Sequence, residues 1–215
     1  LMPEVVLLSF YIGAADMGTG CDTILAQMVA ELMDCDVDDV AVFGADTDVS
    51  PYDSGSYASS TTYITGMAVV KACNELKKQI CTIAAGMMDC EEEAVEFAST
   101  CVRRTGTEQT VSLTDIAYKA QVGNTVPAEA TQTHTSPVSP PPYMVGTVEI
   151  ELDTLTGKVE ILDYMAVVDC GIPINPALAR IQTEGGLVQG IGHTLMENVT
   201  YDECGRPMES SFMQY

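Results

Sequence analysis

The chain has very little positive charge. Its 215 residues include 9 Lys and Arg against 31 Asp and Glu, which gives a formal net charge of −22 at pH 7. Nucleic acids and anionic membranes bind clusters of basic side chains, so this composition excludes both as partners. A polyanionic ligand would have to be bound by backbone N–H groups, helix N-termini and hydroxyl groups in place of a basic patch.

Histidine is scarce in this chain, and the cysteines are not spaced as metal ligands. The only histidines are His134 and His193, and the eight cysteines contain no C-x-x-C pair. We therefore expect no zinc site, iron–sulfur cluster or histidine-based catalytic triad within this chain, and we assign no metal ligand. The thiols are expected to be reduced, which is typical of cytoplasmic proteins.

Long hydrophobic runs are also missing from the sequence. It contains no stretch of eighteen apolar residues and no charged leader followed by an apolar segment. Neither a membrane span nor a signal peptide is predicted, and we expect a cytoplasmic location. The chain starts at Leu1, close to a strand-like run, and reaches Tyr215 without a clear stop signal. We therefore expect it to be part of a longer polypeptide.

The first part of the sequence predicts two strand–loop–helix units in succession. The elements are the strand Val5–Ile12, the loop Asp16–Thr23, a helix to Met33, the strand Val40–Phe43, the loop Ala45–Thr65 and a long helix to Met87. Apolar residues recur at helical spacing in both predicted helices. The second loop is about three times longer than most connections of its kind, which favours a binding function.

Both loops precede a helix, where unpaired N–H groups and the positive end of the helix dipole favour anions. Gly18 and Gly20 flank Thr19 in one loop, and Tyr57–Thr62 supplies small and hydroxylated side chains in the other. We predict that the two loops together bind a ligand with more than one anionic group. The sequence leaves an alternative open, a surface loop that ends in an ordinary Ser or Thr N-cap.

Two more helices are predicted after the long one. Asp89 and Glu92 match a D-x-x-E capping pattern, and two arginines ending at Arg104 occupy the expected last turn. Charges of both signs then match the helix dipole. A short helix capped by Thr114 is predicted within Val111–Gln121.

The segment 123–143 is rich in threonine and proline, so regular structure is not expected there. It is either a linker or an ordered loop that closes over something, and composition does not distinguish the two. Beyond it, Thr147–Asp153 and Lys158–Val168 predict an antiparallel hairpin with alternating apolar and acidic faces. We predict one α+β region, with a mixed sheet packed with helices, that either spans 1–215 as a whole or contains two subdomains, 1–122 and 144–215.

The last helix is predicted to start at Asn175, as N-cap, and Pro176, in the first turn. Four glycines within Gly185–Gly192 weaken such a helix by roughly 1 kcal/mol each relative to alanine. They indicate either close packing against another helix or close approach of the backbone to a ligand.

Three motifs of this chain occur in the order seen in a known family. They are Gly18-Thr19-Gly20 with Asp22, Thr23 and Gln27; Asp46-Thr47-Asp48 through Ser59; and Val168–Pro176 with Gln182 and Gly185–Gly192. Together they resemble the molybdenum-binding large subunit of the xanthine dehydrogenase, aldehyde oxidase and carbon monoxide dehydrogenase family of molybdenum hydroxylases. The resemblance covers most of the chain.

The resemblance implies a cofactor that supplies its own metal ligands. In that family, dithiolene sulfurs of a pterin bind the molybdenum, and iron–sulfur and FAD centres lie in partner subunits or domains. For this chain, the resemblance implies molybdopterin in the cytosine dinucleotide form. It also implies oxidation of a small N-heterocycle such as xanthine, with water as the oxygen source. An aromatic CoA-thioester (4-hydroxybenzoyl-CoA-like) reductase and an aldehyde or CO oxidoreductase remain alternatives. A non-catalytic assembly or interaction domain and a generic nucleotide-binding module are alternatives from other classes.

Matched position by position, the resemblance implies nine cofactor-binding residues. They are Gly18, Thr19, Gly20, Tyr57, Ala58, Ser59, Ser60, Thr61 and Gln189. Thr19 stands where the family commonly has glutamine, and Asn175 and Gln182 match positions near the distal part of the cofactor. The family's catalytic glutamate lies in a later Gly-Glu motif, which is expected beyond Tyr215. We therefore assign no catalytic residue and expect the 215-residue chain alone to be inactive.

Overall fold

The computed structural model describes residues 8–123 and 128–215. The chain separates into two units, Leu1–Ser139 and Pro140–Tyr215. The predicted α+β class is confirmed, and the two strand-pairing directions occur in separate sheets, one parallel and two antiparallel. The finer division into domains stays a prediction. Among the described residues, no helix combines the length and the apolar character that a bilayer crossing requires.

The first unit begins with a strand–helix–strand arrangement. Strand β1 (Leu8–Ile12) pairs in parallel with strand β2 (Val40–Gly44), and helix α1 (Cys21–Met33) connects them. These elements confirm the sequence prediction, apart from positions 5–7, which lie outside the described residues. Six apolar residues of α1 besides Cys21 are buried, and Leu25 is fully inaccessible to solvent. Burial of these side chains therefore fixes the helix to the core of the first unit.

Helix α2 (Gly66–Met87) is the central element of the first unit. One π-helical turn, Thr61–Thr65, precedes it, and the helix packs against α1. Its buried side chains recur at intervals of four and seven residues, as the sequence pattern predicts: Val69, Cys73, Ile80 and Ala84. Burial raises the pKa of the Cys73 thiol to about 11, so this thiol is protonated and unreactive at neutral pH.

The helix predicted from Asp89 to Arg104 is wrong. The segment contains a 3₁₀ turn (Glu92–Ala94) and two antiparallel strands, β3 (Val95–Ala98) and β4 (Cys101–Arg104). The acidic run resembles a helical first turn, but side chains alternate with a period of two from Val95 onward. The charges assigned to the helix dipole instead face each other across strands, since Arg103 is the register partner of Glu96 at 4.0 Å.

The next helix forms, but with a different cap from the one predicted. Strand β5 (Thr110–Ser112) pairs with β4 and leads directly into α3 (Leu113–Val122). The Oγ atom of Ser112 accepts a hydrogen bond from the N–H of Asp115 at 3.1 Å and donates to the carboxylate of Asp115 at 2.6 Å. Ser112, two residues before the predicted Thr114, is therefore the N-cap.

Ser112→Ala is expected to lower the free energy of unfolding by about 1 kcal/mol, because the N–H of Asp115 loses its acceptor. Thr114→Ala is the matched control, since Thr114 makes no capping hydrogen bond, and it should change stability by less than about 0.5 kcal/mol. Urea unfolding of both variants checks the pair. Equal losses would contradict the assignment of Ser112.

The segment 128–142 contains no helix or strand, yet hydrogen bonds fix part of it to the first unit. The hydroxyl groups of Tyr63 and Ser136 are hydrogen-bonded, and the backbone N–H of Glu129 donates to Oε1 of Gln79 at 3.2 Å. These bonds join positions 73 and 50 residues apart in sequence. Of the two readings left open by composition, they favour an ordered loop over a linker.

The second unit consists of a long hairpin and one helix. Strands β6 (Tyr143–Leu152) and β7 (Val159–Asp169) pair in antiparallel fashion, as predicted, with a register shift between Glu149 and Ile150. Helix α4 (Pro176–Leu195) has Asn175 as its N-cap, whose Oδ1 accepts from the N–H of Leu178, and this also confirms the prediction. The predicted apolar face of β6 is not buried, since every residue of that strand is exposed.

Candidate functional site

Two loops meet at one edge of the parallel β1–β2 pair. Because the strands are parallel, their carboxyl ends lie side by side, and the loops that follow start at the same edge. We call residues 13–20 the first loop and residues 45–60 the second loop. The first loop leads into α1 and the second into the π-helical turn before α2, and both helical segments contact each other. Ligands commonly bind at such an edge in α/β structures.

Gly13 is the point where the two loops touch. A Cβ atom at this position would collide with the backbone carbonyl oxygen of Pro51 and lie 2.8 Å from Cβ of Asp53. The end of β2 packs closely against the first turn of α1 as well, since a Cβ at Gly44 would lie 2.9 Å from a carboxylate oxygen of Asp22. The glycines therefore allow the second loop and the start of α1 to pack closely at the end of the strand pair.

The backbone N–H groups of the first loop point at a carboxylate of the same loop. Oδ1 of Asp16 accepts from Gly18 at 2.9 Å and from Gly20 at 3.1 Å, and Oδ2 accepts from Asp22 at 3.4 Å. Gly18 and Gly20 adopt backbone φ values of 101° and 73°, which residues other than glycine rarely adopt. These glycines let the chain wrap around the Asp16 carboxylate.

Backbone hydrogen bonds, first of all from Gly18, lower the pKa of Asp16 below its ordinary value. The charged carboxylate is therefore the form that stabilises the loop. Because the folded pKa is lowered, this stabilisation is fully present above the unfolded pKa of about 3.9. It is lost as the pH falls through the lower folded value.

The second loop provides donors that no described residue accepts from. Ala58 and Ser59 both adopt left-handed φ values, 54° and 57°, just before the π-helical turn. Ser60 precedes that turn without a side-chain capping bond, and the N–H groups of Thr61 and Thr62 have no acceptor among the described residues. The sequence alternative of an ordinary Ser or Thr N-cap is therefore wrong for this loop. These N–H groups, at the start of a helical segment, are suited to bind an anion.

Two buried polar atoms of the first unit lack a hydrogen-bond partner among the described residues. Oγ of Ser56 lies in the second loop, and Nδ1 of His134 lies in the ordered segment 128–142. Buried polar atoms are normally hydrogen-bonded, so each of these atoms is available to a water molecule, a ligand or a partner. Ser56 is the more informative of the two because it belongs to the loop that also has unused N–H groups.

The structure places most of the predicted site residues in the two loops. Gly18, Thr19 and Gly20 belong to the first loop, Tyr57, Ala58, Ser59 and Ser60 to the second, and Thr61 begins the π-helical turn. Tyr57 is 63% exposed. Gln189 lies exposed on α4 in the second unit. The assignment of all nine residues to a cofactor stays a prediction.

Asp16, Cys21 and Asp22 bring three potential metal-ligand atoms within 4.8 Å of one another. The Asp16 oxygens already accept backbone N–H groups, as described above. Burial, and then the charges of Asp16 and Asp22, raise the pKa of the Cys21 thiol, so it stays protonated at neutral pH. Hydrogen bonds to the first loop account for the position of the Asp16 carboxylate in this cluster.

Sequence reasoning missed three residues of this site. The sequence analysis gave Asp16 no role. Its three N–H donors lie only two, four and six residues later, so the sequence carried a local signal for this turn. Ser56 was not separated from its hydroxylated neighbours, and Gly13 was not singled out. The role of Gly13 depends on contact with residues about forty positions later, and no local pattern reports such a contact.

Known proteins match most of this chain in sequence. The family model described as "Molybdopterin cofactor-binding domain" matches residues 7–215. The "Probable hypoxanthine oxidase XdhD" of Escherichia coli K12 is 35% identical over 204 residues, which are 94% of this chain and 21% of that protein. The "6-hydroxypseudooxynicotine dehydrogenase complex subunit gamma" of Paenarthrobacter nicotinovorans is 33% identical, with coverage of 94% and 26%.

A solved structure agrees with these relatives. The crystal structure of the Cu,Mo-CO dehydrogenase in its carbon monoxide reduced state matches with a TM-score of 0.83 and 27% identity. The match covers 94% of this chain and 26% of that one. The chain thus spans only about a fifth to a quarter of the length of the proteins it matches.

Proposed function

Because this chain belongs to the molybdopterin cofactor-binding domain family, we propose that its two loops bind the pterin part of a molybdenum cofactor. The observation that carries the proposal is the set of unused donors in the second loop, the N–H groups of Thr61 and Thr62 and the hydroxyl of Ser56. They suit an anionic ligand in a protein of net charge −22 that offers no basic patch. The residues present therefore fit the cofactor at this loop.

Each chain segment has a defined task in this proposal. The π-helical turn donates N–H groups to the anionic part of the cofactor, and small Ala58 allows its close approach. The first loop contributes the hydroxyl of Thr19. For the second unit by itself, Gln189 is predicted to bind the cofactor through an amide that both donates and accepts. When bound, the molybdenum–pterin group supplies two-electron oxidation chemistry, while the protein supplies binding and orientation.

For the whole protein, we propose oxidation of a small N-heterocycle such as xanthine. Support comes from two relatives. One is named as a hypoxanthine oxidase and is 35% identical, and the other is named as a subunit of a 6-hydroxypseudooxynicotine dehydrogenase and is 33% identical. A CO oxidoreductase is the second candidate, favoured by the TM-score of 0.83 to the Cu,Mo-CO dehydrogenase. Since one relative is named as a subunit of a complex, we also propose iron–sulfur and flavin subunits as electron partners.

The test uses the protein as it is isolated from cells, with the chains that accompany it. Metal analysis is expected to find molybdenum, and oxidation of the extract is expected to release a fluorescent pterin. Release of cytidine monophosphate on hydrolysis would support the proposed cytosine dinucleotide form. Matured protein without molybdenum and pterin would contradict the proposal and favour a non-catalytic assembly domain.

Ser56→Ala is expected to lower the molybdenum content about fivefold, as the loss of one hydrogen bond of about 1 kcal/mol predicts. Ser54→Ala is the matched control, because Ser54 lies in the same loop but is exposed to solvent. Molybdenum content per polypeptide, measured by mass spectrometry, compares the two variants. Equal content in both would contradict a role for the Ser56 hydroxyl.

A further inference from the structure

One face of the β6–β7 hairpin is open to solvent along its whole length. Side chains alternate between the two faces of a strand, so every second residue of β6 shares a face with its register partners on β7. We call the face that carries Val145, Glu149 and Glu151 the outer face, and every residue on it is exposed. The opposite face is better covered, since Val159 and Val168 on it are half-buried.

The outer face has an apolar half and an acidic half. In the apolar half, the side chains of Tyr143, Val145, Met165 and Val167 are 59% to 72% exposed. The acidic half continues along the same strands. A face that contacts only water has no use for the first half, whereas an apolar patch beside charged residues is typical of a surface that another polypeptide covers.

The carboxylates of the acidic half lie directly opposite one another. Glu149 is the register partner of Asp163, and Glu151 is the register partner of Glu160. Like charges in such cross-strand pairs destabilise a hairpin. None of the four carboxylates forms an ion pair within the described part of the chain. Positive charge from a partner would remove this repulsion.

The second unit has little positive charge of its own to supply. Its basic residues are Lys158, Arg180 and Arg206, and Arg180 is already paired with Glu184 at 2.7 Å. A second copy of the chain, again with a net charge of −22, would bring the same excess of acid to the contact. The charge pattern therefore favours a different, basic polypeptide surface over a second copy.

We propose that the outer face is a docking surface for the remaining part of the large subunit, which contacts it with apolar side chains flanked by lysine or arginine. Room for such a partner exists, since the match covers only 26% of the CO dehydrogenase chain and 21% of the hypoxanthine oxidase. The source of the partner, a longer molybdenum-dependent subunit, rests on the proposed function above. The chemistry of the contact rests on the hairpin alone.

The response of the hairpin to salt distinguishes docking from a merely solvated acidic face. Amide hydrogen exchange is measured for the β6 and β7 peptides of the intact protein as isolated from cells, between about 0.05 M and about 0.5 M sodium chloride. Salt screens attraction to a basic partner, so exchange is expected to become about threefold faster. A solvated face predicts the opposite, because salt screens the repulsion between the carboxylates. The peptide 24–33 of α1 serves as the reference.

Two variants test the two halves of the outer face separately. The double substitution Glu149→Gln and Glu151→Gln should make exchange about threefold faster at low salt and abolish the salt response. Val145→Thr keeps a β-branched side chain, and should speed exchange at both salt concentrations without altering the salt response. Glu203→Gln is the matched control, an exposed carboxylate in another turn, and should behave as wild type. If the double variant does not accumulate, the wild-type salt response decides.

The source of the partner is identified by a photoreactive residue. Benzoylphenylalanine in place of Tyr143 keeps an aromatic ring at a position that is 69% exposed. Irradiation of the intact protein is expected to link this residue to the same polypeptide outside residues 1–215, as mapped by mass spectrometry. Linkage only to a second copy, only to a separate subunit, or to nothing would overturn the assignment.

The docking proposal is also overturned if salt slows exchange in the wild-type hairpin, or if the double glutamine variant exchanges more slowly than wild type. These readouts do not depend on molybdenum. Protein without molybdenum that still shows the expected salt response and linkage would refute the proposed function and leave the docking surface standing. Protein with molybdenum and the opposite salt response would refute the docking surface alone.

Discussion

Gly13→Ala is expected to lower the melting temperature and the molybdenum content of the protein together. The added Cβ would collide with the backbone carbonyl oxygen of Pro51 and crowd Cβ of Asp53, and backbone atoms cannot rotate away as a side chain can. Overpacking of this kind costs about 1 to 3 kcal/mol. In a chain of this size, each kcal/mol corresponds to roughly 2 to 4 °C in melting temperature. The second loop, which carries the unused donors, would be displaced.

Gly86→Ala is the matched control for this experiment. Gly86 lies exposed in α2, and a Cβ there would meet no atom within 4 Å. The substitution should raise stability by about 0.5 to 1 kcal/mol, because alanine is the better helix former, and should leave molybdenum content unchanged. Calorimetry and metal analysis on the three proteins compare them. A Gly13→Ala protein with unchanged melting temperature would contradict the contact between the loops.

Leu25→Ala is expected to lower the free energy of unfolding by about 2 to 5 kcal/mol. The Leu25 side chain is 0% exposed and lies on the face of α1 that packs into the core of the first unit. The loss combines the transfer of apolar atoms to water with a cavity that the surrounding side chains cannot fill. Because α1 carries the first loop at its N-terminus, ordering of that loop should weaken as well.

Leu32→Ala provides the control on the same helix. Leu32 is half-buried, so the same substitution removes fewer contacts and leaves no closed cavity, and a loss under half that of Leu25→Ala is expected. Urea unfolding followed by circular dichroism measures both variants. Similar losses at the two positions would show that Leu25 does not occupy the core position assigned to it.

Local sequence signals predicted the elements whose cause is local. Helical spacing predicted α1 and α2, the alternation of apolar and acidic residues predicted the β6–β7 hairpin, and Asn175 with Pro176 predicted the start of α4. The helix prediction for Asp89–Arg104 was wrong because one local signal, the acidic run, matches both the first turn of a helix and a 3₁₀ turn before a strand. Val102 in β4 is fully buried, and such tertiary packing can override a local helix signal.

The candidate site was predictable in its position but not in its internal chemistry. Glycines and hydroxyl side chains before predicted helices indicated both loops, and both are found at the edge of the parallel strand pair. The sequence did not reveal that Asp16 would turn back onto the first loop, since a carboxylate is equally compatible with solvent. Nor did it reveal that Ser56, alone among several neighbouring hydroxyl residues, would have a buried oxygen without a partner.

Three glycines of α4 are compatible with the prediction that a ligand approaches the backbone of this helix. A Cβ at Gly185, Gly186 or Gly190 would meet no atom of the second unit within 4 Å. Close packing against another helix of the same unit therefore does not explain them. Their retention in a continuous helix, despite the cost relative to alanine, is compatible with a backbone that a ligand approaches, as proposed for Gln189 on the same helix.

The β6–β7 hairpin has a practical consequence for handling the protein. Each of its two strands has one outer edge without a strand neighbour in the described sheet, and the cross-strand pair Val145 and Val167 is 72% and 67% exposed. Unprotected edges with apolar side chains recruit further strands from other molecules. Concentrated samples of the 215-residue chain alone should therefore scatter light increasingly with time, and lysine substitutions at Val145 and Val167 should suppress that aggregation.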